Sequence, residues 1–236
     1  MKMKLLEKKI LVVLIILTAG TIMSAQYTDD IPKNRPFFDK KNVSWGYYFG
    51  MNFYDFKIDY DQEYAYIIQE SNPGFQVGLV GNINLNENVS IRTEPGVFFT
   101  NRKLIFKNLL TAKDSIREIT SNYVQVPLSI KLNTIRYGNI RPYITGGIIY
   151  AYNLNSWEDS NNDNAAGRFR MRTQILMYEV GFGLEMYLFY FKFTPSIRGV
   201  FSLQDELVRD KDPNSPWTSH IESIMTRGIY INLTFE

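Results

Sequence analysis

The chain has 236 residues and a nearly balanced charge, 26 basic against 24 acidic residues for a net of +2, with no cysteine and a single histidine. Its length admits one domain with a sizeable core. The charge balance excludes the basic footprint of a nucleic-acid binder, and the absent cysteines exclude disulfide frameworks and thiolate metal sites. With 16 Tyr, 16 Phe and 3 Trp, aromatics make up 15% of the chain, a composition that favours strands over helices.

At the N-terminus Lys2, Lys4, Lys8 and Lys9 precede the apolar run Ile10 to Thr18 and the small-residue stretch "AGTIMSAQ". That order predicts a cleavable export signal over residues 1–25, cut after Ala25. The run is too short for a spanning helix, which needs about 20 apolar residues. Residues 26–44 carry two prolines and mixed charge without periodicity, and read as an irregular periplasmic lead-in.

From Trp45 the pattern becomes strict alternation. Strand one sets Trp45, Tyr47, Phe49, Met51 and Phe53 against Gly46, Tyr48, Gly50 and Asn52. Strand two runs from Phe75 to Leu85 and turns through "NEN"; strand three follows from Val89 to Phe99. Strand four covers Val124 to Leu132 and turns through "TIRYGNI" into strand five, Ile140 to Tyr150. Strands six and seven, Tyr178 to Leu188 and Phe191 to Phe201, turn near Phe189 and Tyr190. The closing stretch "GIYINLTFE" is strand eight, with Ile229, Ile231, Leu233 and Phe235 on its apolar face.

Links two–three, four–five and six–seven are short, and the others are long and polar. Such alternation predicts an all-β, eight-stranded antiparallel up-and-down transmembrane β-barrel over residues 45–236. In it the last strand pairs with the first, so that no edge is left exposed. Pro95, Pro127, Pro142 and Pro195 fall inside these strands and predict bulges or strand ends.

The polar face is dominated by Gly, Asn, Ser, Thr and Tyr rather than by a Lys/Glu-rich solvent surface. That composition suits a narrow lumen filled by side chains. Arg92, Glu94, Lys131, Arg141, Glu179, Glu185, Lys192 and Arg198 are the charges expected to meet there, as mutually paired buried charges must. A solid structural core is the expectation, against a pore or proton path. Trp45, Tyr47, Tyr150, Tyr152 and Tyr178 fall near strand ends, where aromatic girdles sit.

Chemistry-bearing patterns are sparse. His220 lies beside Ser219 and two residues before Glu222, a weak nucleophile, base and acid set that reads as surface loop. "DSNNDN", Asp159 to Asn164, opens like a calcium loop but has Asn164 where the turn glycine belongs and Arg170 where the closing glutamate belongs. It reads as a solvated loop. No enzymatic activity, cofactor or metal site is expected. Trp157 and Trp217 in the long loops offer aromatic surface to a protein partner.

The lead-in, "GFQVGLVGNINLNENVSIRTEPGVFF", "NYVQVPLSIKL", "RPYITGGIIYAYNL", "YEVGFGLEMYLFYFKFTPSIR" and "INLTFE" cover most of the mature chain in order. As a set they resemble the PorT family of small outer-membrane barrels of Bacteroidetes. The resemblance implies a non-enzymatic accessory component of the type IX secretion system, which exports cargo with a C-terminal signal such as proteases and gliding adhesins. It implies outer-membrane lipid and other type IX secretion proteins as partners, with no nucleic acid. The apolar face Ile229, Ile231, Leu233 and Phe235 resembles the signal read by the barrel-assembly machinery, with Glu236 after the aromatic residue as a departure. The alternatives are a free-standing OmpX-like barrel for adhesion or envelope integrity and a lipid-modifying outer-membrane enzyme.

Overall fold

Alternation of bulky and small or polar residues produces ten strands between Val43 and Phe235. A computed structural model describes residues 32–61, 67–106, 115–158, 169–212 and 215–236, and the expected signal segment lies outside them. The strands are β1 (Val43–Tyr60), β2 (Ile67–Ser71), β3 (Gly74–Asn84), β4 (Val89–Thr93), β5 (Gly96–Phe106), β6 (Ile116–Asn133), β7 (Ile140–Asn153), β8 (Gln174–Tyr187), β9 (Lys192–Ser202) and β10 (Ile221–Phe235). β2 and β3 are one stave interrupted at Asn72 and Pro73, since both pair with β5. β4 and β5 are likewise one stave, interrupted at Glu94 and Pro95, since both pair with β6.

Eight antiparallel staves therefore form the sheet, and the sheet closes. β1 pairs with β3 from Val43↔Ile83 to Asn52↔Gly74, and with β10 from Tyr47↔Phe235 to Tyr60↔Ile221. From Val43 to Asn52 the ring is thus closed and leaves no edge, whereas beyond it β2 pairs with β5 alone among the described residues.

One rim carries the short turns 85–88, 134–139 and 188–191, and the other the links 61–66, 107–115, 154–173 and 203–220. The first of these links is much shorter than the sequence pattern suggests. β1 continues to Tyr60 and pairing resumes at Ile67, so most of the polar stretch is strand rather than loop. β5 and β6 also continue past the expected ends, to Phe106 and back to Ile116.

The four prolines mark gaps in the ladder. Pro95 breaks a stave, while the other three stay in register and none forms a strand end. Pro127 pairs with Ile149 on one side and faces the β4/β5 interruption on the other. Pro142 lies beyond Asn133↔Tyr143, the last pair of β6 with β7. Pro195 faces the gap between Gly183↔Ser196 and Met186↔Phe193. A missing N–H costs nothing where no acceptor stands opposite.

Outside, a belt of apolar side chains is fully presented: Trp45 to Phe53 on β1, Val124 to Leu132 on β6, and Val180 and Phe182 on β8 are all exposed. On β1 the belt spans nine residues, close to the roughly 9–11 that a tilted strand needs to cross a bilayer. Inside, Tyr143 needs glycine opposite it. A Cβ on Gly183 would lie 2.5 Å from the Tyr143 ring, so this glycine makes room for a tyrosine folded across the lumen.

Candidate functional site

The lumen is layered. Near the short-turn rim seven of the eight expected charges, Arg92, Glu94, Lys131, Glu179, Glu185, Lys192 and Arg198, are buried together with Glu236. Glu94 sits between two guanidinium groups, 2.5 Å from Arg92 Nε and 2.6 Å from Arg198 Nη2. Arg198 Nη1 lies 3.4 Å from Glu179, which also accepts a hydrogen bond from Ser129 Oγ. Lys131 and Lys192 share Glu185, the latter at 3.0 Å, and Lys192 also reaches Glu236 at 2.9 Å. Four cations thus meet four carboxylates, the condition under which buried charges are tolerated.

Arg141, the eighth residue of the expected set, stands apart at the mouth. It pairs with Asp39 of the lead-in at 3.3 Å and donates to the carbonyls of Glu87 and Thr134. Asp39 also pairs with Arg136 at 3.3 Å and accepts a hydrogen bond from the Tyr187 hydroxyl. Beside it Phe38 is 7% exposed, with Lys192 Nζ 4.8 Å from its ring centre. The lead-in therefore plugs this mouth with one ring and one carboxylate.

Midway, the Tyr54 and Tyr230 hydroxyls bond each other and Gln125, and Gln76 donates to Asn232. Above them Arg102 donates to Thr226 Oγ1 at 3.0 Å and to the Tyr123 hydroxyl at 2.9 Å, and its guanidinium stacks 3.8 Å from the Phe56 ring centre. Glu206 folds in from the 203–220 link and accepts from Thr226 N and Oγ1 at 2.8 and 2.7 Å. Burial pushes its carboxyl above the ordinary value, against the pull of Arg102 and the Thr226 hydrogen bonds.

The top layer is apolar. Phe56, Leu104, Ile119 and Ile224 point inward from the strands and meet Phe169, Met171 and Leu207 from the links. The Arg117 guanidinium stacks 4.6 Å from the ring centre of Trp217, which packs against this layer. Outside, at the same height, stand ion pairs of Asp55 with Arg227, Lys57 with Asp59, and Lys103 with Glu118.

A closed barrel with an apolar belt outside and a polar lumen has the anatomy of a bacterial outer-membrane protein. Residues 25–208 match the family described as outer membrane protein beta-barrel domain. The chain belongs to this outer-membrane β-barrel family. Its place is the cell outer membrane, with the short-turn rim on the periplasmic side and the long links outside. Among solved structures the barrel is similar to the N-terminal β-barrel domain of Pseudomonas aeruginosa OprF, at 15% identity over 82% of this chain and 98% of that one, with a TM-score of 0.40. Neisserial surface protein A matches at 8% identity over 82% and 98%, with a TM-score of 0.46. The attachment invasion locus protein Ail of Yersinia pestis matches at 11% over 83% and 99%, with a TM-score of 0.40. Among curated protein sequences none matches the chain.

The remaining candidate residues of this outer-membrane barrel lie at its surface. His220 is exposed on the extracellular side; its carbonyl accepts from Asp61 N, and no hydrogen bond joins its ring to Ser219 or Glu222 among the described residues. Asp159 to Asn164 lie outside the described residues, and among those described no group of His, Asp or Glu side chains could hold a metal. Trp157 is 45% exposed, whereas Trp217 is drawn into the upper core. Ile229, Ile231, Leu233 and Phe235 all face outward, and Phe235 stacks on Tyr47 and Phe49 at 5.5 and 5.6 Å between ring centres. Of the expected girdle, Trp45 is 81% exposed near the periplasmic end of β1, while Tyr150, Tyr152 and Tyr178 face outward toward the extracellular ends of β7 and β8.

Sequence reasoning missed Arg102, Arg117, Glu206, Phe38 and Asp39. The first two fall in segments read as loop, and alternation extended through Phe106 and back to Ile116 would have placed both on the inner face.

Proposed function

We infer that the protein is a non-enzymatic outer-membrane barrel that serves type IX secretion as an accessory component. The observation that carries this reading is the filling of the lumen: balanced ion pairs below, an apolar layer above, and a lead-in across the periplasmic mouth. A barrel filled in this way acts through its rims and its outer wall. The resemblance of its segments to the PorT family supplies the pathway, with other type IX proteins as partners at a rim and the barrel-assembly machinery as the partner during insertion.

The test is a comparison of cell-surface and culture-fluid proteomes with and without the gene, scored for cargo bearing the type IX C-terminal signal. The reading requires that cargo to accumulate inside the envelope while other outer-membrane proteins stay normal. Unchanged secretion overturns it.

A second reading, a free-standing barrel for adhesion or envelope integrity, draws support from strands that continue beyond the apolar belt. Exposed ion pairs such as Asp55 with Arg227, at 2.8 Å, line that extracellular palisade. It requires intact secretion on deletion together with lost attachment or detergent resistance. A lipid-modifying enzyme requires Ser219→Ala or His220→Ala to alter the lipid profile at unchanged protein abundance; the accessory reading requires no change.

A further inference from the structure

At the periplasmic end of the β1–β10 seam the lead-in overhangs the outer wall and encloses a groove of about 570 Å³. Its membrane side is aromatic: Trp45, Tyr47, Phe191 and Phe235 line it. All four face the lipid, and Phe235 stacks against Tyr47 and lies 5.7 Å from Phe191 between ring centres. Its periplasmic side is cationic, built by Arg35 and Lys41.

These two cations are held in place rather than loosely tethered. Arg35 has φ 50, a left-handed conformation that non-glycine residues rarely adopt. Such a conformation persists only where the surroundings fix it, and it often marks a working site. Here Arg35 Nη1 donates to the main-chain oxygen of Glu236 at 3.0 Å, and its guanidinium carbon lies 4.3 Å from the Phe38 ring centre. Lys41 Nζ lies 5.6 Å from the same ring. One buried phenylalanine thus gathers both cations at the lip of the groove.

The groove also has one acidic side chain, Glu236, but its charge is spent inside the barrel. It pairs with Lys192 at 2.9 Å and Arg92 at 3.5 Å and accepts from Ser44 Oγ at 3.2 Å. Arg35, with one nitrogen engaged by the Glu236 main-chain oxygen, and Lys41 stand over an aromatic wall, at the depth where the apolar belt begins at Trp45. That is where phosphate headgroups of the inner leaflet meet the hydrocarbon.

We propose that this groove binds an anionic glycerophospholipid of the periplasmic leaflet. The phosphate lies against Arg35 and Lys41, for which a forked guanidinium is well shaped. An acyl chain lies along Trp45, Tyr47 and Phe235. A water-soluble phosphate would use only the cationic half of the groove, so the ligand is a membrane lipid. Such a lipid ties the lead-in, and with it the plug at the periplasmic mouth, to the bilayer.

The test uses the delipidated full chain in zwitterionic detergent, titrated with phosphatidylglycerol or with phosphatidylcholine of the same acyl chains and read by native mass spectrometry. The wild type is expected to hold one phosphatidylglycerol at least tenfold more tightly than phosphatidylcholine. In Arg35→Gln/Lys41→Gln that preference is expected to fall to parity, since each basic group near a lipid surface is worth about a factor of five and the two together about 25. Both positions lie outside the strands, so the barrel forms, which its heat-dependent shift in gel mobility reports. Trp45→Ala should weaken both lipids alike, and Lys57→Gln at the opposite rim should change neither. Equal affinity of the wild type for the two lipids, a preference that survives in Arg35→Gln/Lys41→Gln, or an equal loss in Lys57→Gln overturns the proposal. So does full competition by glycerophosphoglycerol, a headgroup without acyl chains.

Discussion

The two halves of the barrel bury opposite chemistries with the same strands. From Ser44 to Tyr54 β1 points small and polar residues inward and Trp45 to Phe53 outward; two residues later Phe56 and Ile58 point inward and Asp55, Lys57 and Asp59 outward. β5 inverts in the same way, with Thr100 and Arg102 inward before Leu104 and Phe106, while Phe99 outward gives way to Lys103. The pleat does not change at these positions; the solvent does. Below, the outer face meets hydrocarbon and the inner face must pair its own charges. Above, the outer face meets water and the interior can be an ordinary apolar core. The inversion locates the upper membrane boundary along β1 and β5.

The difference predicts how each half breaks. In the lower half the cost comes from orphaned charge. Glu94→Gln leaves Arg92 and Arg198 buried around a neutral amide, and should lower stability by about 3–5 kcal/mol. A large fall in the urea midpoint of the purified barrel is the readout. In the upper half the cost comes from a void. Leu104→Ala removes a fully buried side chain and should lower stability by about 2–4 kcal/mol without disturbing the ion pairs beneath. Equal losses from a lower-half apolar truncation and an upper-half one, with no penalty at Glu94, would erase the distinction.

A smaller effect belongs to the plug. Asp39→Asn weakens contacts with Arg136, Arg141 and Tyr187 that are only partly buried, so about 1 kcal/mol is at stake. Its clearest sign should be faster protease cleavage within residues 33–42, with the heat-dependent gel shift of the barrel intact.

The smallest effect concerns pH at the layer between the halves. Because the Glu206 carboxyl titrates above its unfolded-state value, it favours the folded protein below the ordinary carboxylate range and loses that contribution as pH rises through its folded-state value. Glu206→Gln should therefore gain stability relative to wild type at neutral and alkaline pH, and the gain should vanish in acid. Urea midpoints measured across that range check the sign.

Much of this was legible in the sequence because a membrane wall imposes a strict period of two. The phase of Trp45 through Phe53 and of Val124 through Leu132 fixes which residues face the lumen, and Arg92, Lys131 and Glu185 share that inner phase. The extension of the strands was not legible. Beyond the membrane the apolar side switches from outside to inside, so Asp55 to Tyr60 and Asn101 to Phe106 look like the end of a pattern when they are its inversion. Phe38 and Asp39 were hidden for another reason. A plug segment makes its contacts residue by residue, through one ring and one carboxylate, and leaves no repeat to read.

With its ion pairs, tyrosine layer and apolar top, the lumen is a filled core and not a passage. Planar bilayers containing the purified full chain test it most directly. No stable conductance above the leak of the bare membrane is expected, at neutral pH and with the lead-in in place. A reproducible ohmic step for each inserted barrel would contradict it, and would make the ion pairs around Glu94 the lining of a pore.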